Sequence, residues 1–157
     1  MNTNKLGFPA KETEQLIDEL NILLSNFQVY YQNLRGIHWN IRGRRFFELH
    51  LKFEELYNDA QLKVDLLAER VLTLGGVPLH TFEDYLQKNK LSISKNVSVD
   101  TDAVHVIVNA ITILLKLERS IFQNASAISD EGTSSMMSDF IQEQEKTLWM
   151  MSAWLQE

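Results

Sequence analysis

On a helix, residues three and four apart share a face, so a histidine and a carboxylate at that spacing can supply half of a metal ion's coordination shell. Segment 50–70, HLKFEELYNDAQLKVDLLAER, carries two such pairs, His50 with Glu54 and Asp65 with Glu69. Eleven residues separate Glu54 from Asp65, which is roughly 16 Å of helix rise. Metal–ligand bonds are only about 2 Å long. One straight helix therefore cannot bring both pairs to one ion. The two pairs nevertheless share a midpoint between residues 59 and 60. If two copies of the helix cross antiparallel about a two-fold axis there, His50 faces the partner's Glu69 and Glu54 faces the partner's Asp65. A two-fold interface is self-complementary in this way. Ala60 is small enough for a close crossing at that point. Nitrogen and oxygen donors without sulfur point to iron, manganese or zinc. Intersubunit salt bridges are the rival use of the same face.

The helix that must hold these residues has two apolar sectors. At about 100° per residue, with His50 set to zero, Leu49, Phe53, Leu56, Ala60, Val64, Leu67, Val71 and Leu74 form one continuous stripe. Arg45, Glu48, Lys52, Glu55, Asp59, Lys63 and Arg70 form a face expected to meet solvent. His50, Glu54, Asp65 and Glu69 lie on neither, with Phe47, Leu51, Leu62 and Leu72 beside them. A monomeric bundle needs only one buried face, so the second predicts a partner.

Four long stretches of the chain carry helical periodicity. In the first, Leu16, Leu20, Leu23, Phe27, Tyr30 and Leu34 recur at steps of three and four. Pro9 stands near its start, and Gly36 weakens the helix without ending it. The second begins near Gly43 and stops at GGVP, residues 75–78. A connector of about twenty residues follows, too long to lack structure, and TFEDYLQ within it reads as a short helix. Ser98 or Asp100 is expected to cap the third long helix, which repeats Val104, Val108, Ile111, Leu115 and Phe122. SDEGTSS breaks the pattern, and Thr133 or Ser134 is expected to cap the last. Strand alternation is nowhere convincing. The expectation is a single all-α domain, residues 1–157: a four-helix bundle with a short helix in the long connector between helices two and three.

Composition limits the partners. The 157 residues, 45% hydrophobic with two prolines and six glycines, suit one compact domain with its own core. A formal charge of −6 gives no whole-chain attraction for nucleic acid. Without cysteine there are neither disulfides nor thiolate metal sites. The opening MNTNKLGFPAKETEQ lacks the apolar core of a signal peptide. The most apolar run, AVHVIVNAITILLKL, is too short to span a bilayer. A cytoplasmic protein with no membrane partner is expected.

His38, in GIHWN, lies twelve residues before His50, and a helix hairpin can bring the two together. Packing beside Trp39 is its competing use. His80 and His105 have no partners at ligand spacing and read as structural or surface residues. Met136, Met137, Met150 and Met151 read as core filling.

The segment HWNIRGRRFFELHLKFEELYNDAQLKVDLLAERVLTLGG closely resembles the signature of the Dps family, the mini-ferritins first named as DNA-binding proteins from starved cells. The likeness covers the whole chain in length and helix order. It implies a ferritin-like bundle with a ferroxidase centre at a two-fold interface, where His38, His50 and Glu54 come from one subunit and Asp65 and Glu69 from the other. It also implies a hollow dodecameric shell that oxidises Fe(II), preferably with hydrogen peroxide, stores ferric mineral and limits oxidative damage. Trp39 resembles the family's aromatic residue near the site, read either as a trap for stray oxidising equivalents or as a hydrophobic wall. In the family, iron passes through acidic pores at a three-fold axis near the start of the last helix. Asp130, Glu131 and Asp139 stand there in this chain; a plain acidic helix N-terminus is the other reading.

Two features separate the chain from some relatives. DNA-binding members often carry a lysine-rich tail, whereas here only Lys5 and Lys11 precede Glu12 and Glu14, and the C-terminus reads WLQE. DNA binding is therefore not expected, and a DNA-compacting protein with a vestigial metal site is the alternative. Arg35, Phe47, Val77 and Asp102 stand three residues before the four histidines, so the Glu-x-x-His motif of larger di-iron ferritins is missing.

Overall fold

Steps of three and four between apolar residues wind the chain into α1 (Ala10–Asn40), α2 (Phe46–Thr73), α4 (Asp100–Ala127) and α5 (Glu131–Leu155), with the short α3 (Phe82–Lys88) between α2 and α4. These elements are those of a computed structural model that describes residues 2–157. α1 packs along α2 and α4 along α5, and α1 also meets α4, closing a four-helix bundle. No strand occurs among the described residues; an isolated bridge joins Thr3 to Pro9. Among the described residues, no helix is long and apolar enough to cross a membrane.

The core contains the expected stripes. Leu16, Leu20, Leu23, Phe27, Tyr30 and Leu34 of α1 are buried, as are Leu49, Phe53, Ala60, Leu67 and Val71 of α2. Each fully buried Leu or Phe contributes roughly 1.5–3 kcal/mol. Val104, Ile111 and Leu115 continue the core on α4, whereas Phe122 sits at the stripe's edge and stays exposed. Met137 and Met151 fill the core, while Met136 and Met150 lie at its margin. α2 ends at Gly75, whose φ of +94° suits glycine. A side chain on Gly76 would collide with Ile17.

Three asparagines of α1 hold the connector down. Asn21 donates to the Val77 carbonyl and accepts from the Leu79 amide. Asn33 does the same with Ser92 and Ser94, and Asn26 accepts from Lys90. Buried amides thus satisfy loop backbone that would otherwise lose its hydrogen bonds. α3 begins where expected, with Thr81 accepting from the Asp84 amide at 3.2 Å.

Several local expectations are corrected. α2 begins at Phe46, not near Gly43, which holds the preceding turn at φ +115°. α4 is preceded by Val99 without a side-chain cap; Asp100 accepts instead from the Thr101 amide. α5 starts earlier than Thr133 or Ser134 would allow, because Asp130 caps it by accepting from the Thr133 amide at 3.0 Å. Lys63, placed on the solvent face, is only 3% exposed, with its ammonium 2.7 Å from Glu143 and 2.5 Å from Asp59. Arg70, from the same face, turns inward to the Asp130 carboxylate at 2.6 Å. Ala60 faces the core and is fully buried within one chain, so its side chain is not on the face that would meet a partner. The ligand-bearing face does remain open: Phe47, Leu51, Leu62 and Leu72 are exposed, Phe47 by 84%.

A candidate metal centre on the α1–α2 hairpin

His38 lies in the last turn of α1 and His50 near the start of α2, joined through residues 41–45. The Arg42 amide anchors that turn by donating to the Ser98 carbonyl at 3.0 Å. The two imidazoles then lock each other. Nδ1 of His38 stands 2.6 Å from the His50 carbonyl, and Nδ1 of His50 stands 2.8 Å from the His38 carbonyl. A carbonyl only accepts, so each Nδ1 carries a proton and the Nε2 of each neutral ring keeps its lone pair. The rings stack with centroids 3.7 Å apart and planes within 11°. Phe46 covers His50 at 4.8 Å. Two nitrogen donors with fixed tautomers thus stand side by side, the form in which imidazole binds a metal.

Glu54 lies one turn beyond His50 and is half-buried. The Tyr57 hydroxyl reaches its Oε1 at 3.5 Å, and the Tyr57 ring meets His38 edge-on at 5.3 Å. Burial, and then the Glu54 charge, push the Tyr57 phenol above its ordinary value, so it remains a hydrogen-bond donor at neutral pH. Asp65 and Glu69 continue down the same helix and are exposed. Asp65 borders a groove with Gln28, Tyr31, Asn58, Gln61 and Leu62. Within one chain, therefore, His38 and His50 come together with Glu54 nearby, while Asp65 and Glu69 stand apart. Among the described residues of a single chain, no three His, Cys, Asp or Glu side chains gather closely enough to hold a metal.

The remaining candidates divide. Trp39 is 57% exposed and its ring lies against the Arg35 guanidinium at 4.9 Å rather than forming a buried wall. Asp130 is fully buried, capping α5 and paired with Arg70. Its carboxylate is committed to the fold and is not free to line a pore. Glu131 and Asp139 are exposed. His80 is exposed and bonds near Pro78, and His105 reaches Glu157 at 3.2 Å, in keeping with surface roles. Tyr57 and Phe46 were not singled out from the sequence, although they lie three residues after Glu54 and four before His50. At those steps helix neighbours must touch.

The four-helix bundle matches the ferritin-like domain family over residues 17–157. A DPS protein from Vibrio cholerae O1, described as a member of a broad superfamily of ferritin-like diiron-carboxylate proteins, superposes with a TM-score of 0.96 at 47% identity, covering 99% of this chain and 98% of that one. A Dps protein from Bacillus brevis gives 0.90 at 33% identity, covering 94% and 99%. The DNA protection during starvation protein of Porphyromonas gingivalis is 37% identical over 94% of this chain and 93% of its own. The chain belongs to the Dps family of ferritin-like proteins.

Proposed function

We propose that two chains related by a two-fold axis complete two identical Fe(II)-oxidising centres. Each centre takes His38, His50 and Glu54 from one chain and the partner's Asp65 and the partner's Glu69 from the other. The reciprocal lock between His38 and His50 carries this reading, because it commits both Nδ1 atoms and leaves the two Nε2 atoms together on the hairpin as the nitrogens free to meet a metal. The exposed apolar residues of the same face supply the surface for pairing.

Fe(II) and hydrogen peroxide are the substrates. Each Fe(II) gives up one electron and peroxide accepts two, so two Fe(II) reduce one peroxide, with two protons, to two waters. Taking both electrons at one centre avoids releasing a hydroxyl radical. The chain's part is to supply donors, fix their geometry and limit solvent access. In this reading the ferric product is stored inside a dodecameric shell, reached past Glu131 and Asp139, and Trp39 intercepts stray oxidising equivalents. The protein acts in the cytoplasm, limits oxidative damage and does not depend on DNA. The alternative, DNA compaction with a vestigial metal site, requires cationic surface that a charge of −6 per chain disfavours.

The test is to load Fe(II) anaerobically, add peroxide, and follow ferric absorbance together with the mass of the assembly. An intact assembly that develops no ferric absorbance refutes the proposal. Slow oxidation accompanied by salt-sensitive DNA retention favours the alternative.

A further inference from the structure

The bundle interior contains a second polar cluster that the iron reading does not use. Glu118 of α4 is 0% exposed. Its side-chain partner is Gln144 of α5, whose Nε2 donates to both Glu118 oxygens, to Oε2 at 2.5 Å, and also to the Phe140 carbonyl at 2.9 Å. The Gln144 Oε1 is also buried and has no hydrogen-bond partner among the described residues. That oxygen belongs to the same amide group as the Nε2 that touches Glu118, so only a local rotation of the amide or the carboxyl separates the orphan acceptor from a carboxyl hydrogen.

The surrounding charges do not resolve this. The Lys63 ammonium of α2 is taken by Asp59 and Glu143 and lies over the Phe140 ring at 5.2 Å. Arg119, next to Glu118 on α4, turns out to Glu145 at 3.3 Å. Tyr30 of α1 is buried, and burial above all, with the Asp59 charge, pushes its phenol up, so it remains uncharged. A carboxylate in this setting would be a buried anion without a paired cation, beside an acceptor without a donor; both are costly.

We infer that Glu118 and Gln144 form a structural proton site, in which a neutral Glu118 carboxyl donates its hydrogen to Gln144 Oε1 while Gln144 Nε2 donates back. One proton then satisfies the orphan oxygen and removes the buried charge. Burial pushes the Glu118 carboxyl from 4.5 up to about 8, against the opposing pull of Gln144, Lys63 and Arg119. The linkage has a definite sign. Below about 4.5 the folded and unfolded chains both hold the proton, and the contribution to stability is complete. As pH rises toward about 8 the unfolded chain releases it while the folded chain keeps it, so stability falls until the folded carboxyl also ionises.

The test compares urea unfolding of the intact protein and Glu118→Gln between about pH 5 and 8. The glutamine retains an amide donor for the orphan oxygen and carries no titrating charge. The unfolding constant of the wild type should increase relative to the variant by up to about tenfold per pH unit, the limit for one proton. Parallel pH profiles would overturn the inference. If the variant does not fold, infrared spectroscopy of the wild type near neutral pH decides. A protonated-carboxyl carbonyl band, distinct from the carboxylate bands of exposed acids, is expected, and its absence overturns the site.

Discussion

Mixing two inactive variants tests where the iron centre is built. His50→Ala removes a ring stacked between His38 and Phe46 and its bond to the His38 carbonyl. Losing one such hydrogen bond costs about 0.5–1.5 kcal/mol, which a domain stable by roughly 5–15 kcal/mol withstands. Asp65 is exposed, so Asp65→Ala should change stability by no more than about 0.5 kcal/mol. Each variant alone should assemble and oxidise Fe(II) poorly, because each damages both centres of its own dimer. In a mixed dimer both lesions fall in one centre. The other receives His50 and Glu54 from the Asp65→Ala chain and Asp65 and Glu69 from the His50→Ala chain, and is intact. With equal amounts and random pairing, half the dimers are mixed and half their centres are whole, so activity should return to about a quarter of wild type. The assay is co-refolding, native mass spectrometry to count mixed assemblies, and initial rates of peroxide-dependent Fe(II) oxidation. A centre contained within one chain carries a lesion in every copy, and mixing restores nothing. No recovery in verified mixed assemblies would refute the shared site.

Other consequences are simpler to measure. In the proposed shell, twelve chains at −6 each would carry about −72 formally, so duplex DNA should not be retarded at neutral pH and physiological salt; a salt-sensitive complex in a mobility-shift gel would expose a local basic surface. Changing Glu131 and Asp139 together to the amides should leave assembly intact and slow initial iron uptake, most strongly at low ionic strength. Unchanged uptake would return both to an ordinary helix N-terminus. Arg70→Ala strands the buried Asp130 carboxylate and should destabilise the fold by about 3–5 kcal/mol in urea titration. Arg70→Ala combined with Asp130→Asn should recover part of that loss.

Which of these features the sequence exposed depended on how far apart the partners lie. The α1 stripe from Leu16 to Leu34 was legible because one helix face enters the core at a fixed period. The short α3 was legible because a connector of that length rarely lacks structure, and the structure shows Thr81 capping it locally. Arg70 and Lys63 were misplaced for the opposite reason. Their partners, Asp130 and Glu143, are brought to them only by α5 crossing beside α2, and a helical wheel has no term for that. Burying Lys63 is tolerable only because two carboxylates receive its ammonium. The pairing of Glu118 with Gln144 was hidden in the same way, since they approach only when α4 folds onto α5.

The face reading of α2 placed the apolar stripe, Ala60 included, correctly, and the way that stripe entered the core bears on the proposed iron centre. Two apolar sectors competed for the interior, and the one containing Ala60, Phe53 and Leu67 won. The other includes Glu54, Asp65 and Glu69, and turning those carboxylates into a single-chain core would cost several kcal/mol per uncompensated charge. It therefore stays outward, with Phe47 and Leu62 exposed among the acids. Closing that face against a second chain would bury the apolar residues but leave the acids short of water. In the proposed centre a bound cation relieves that cost, and the partner supplies donors that one chain does not gather. Metal binding and pairing then strengthen each other, because each stabilises the state that the other requires.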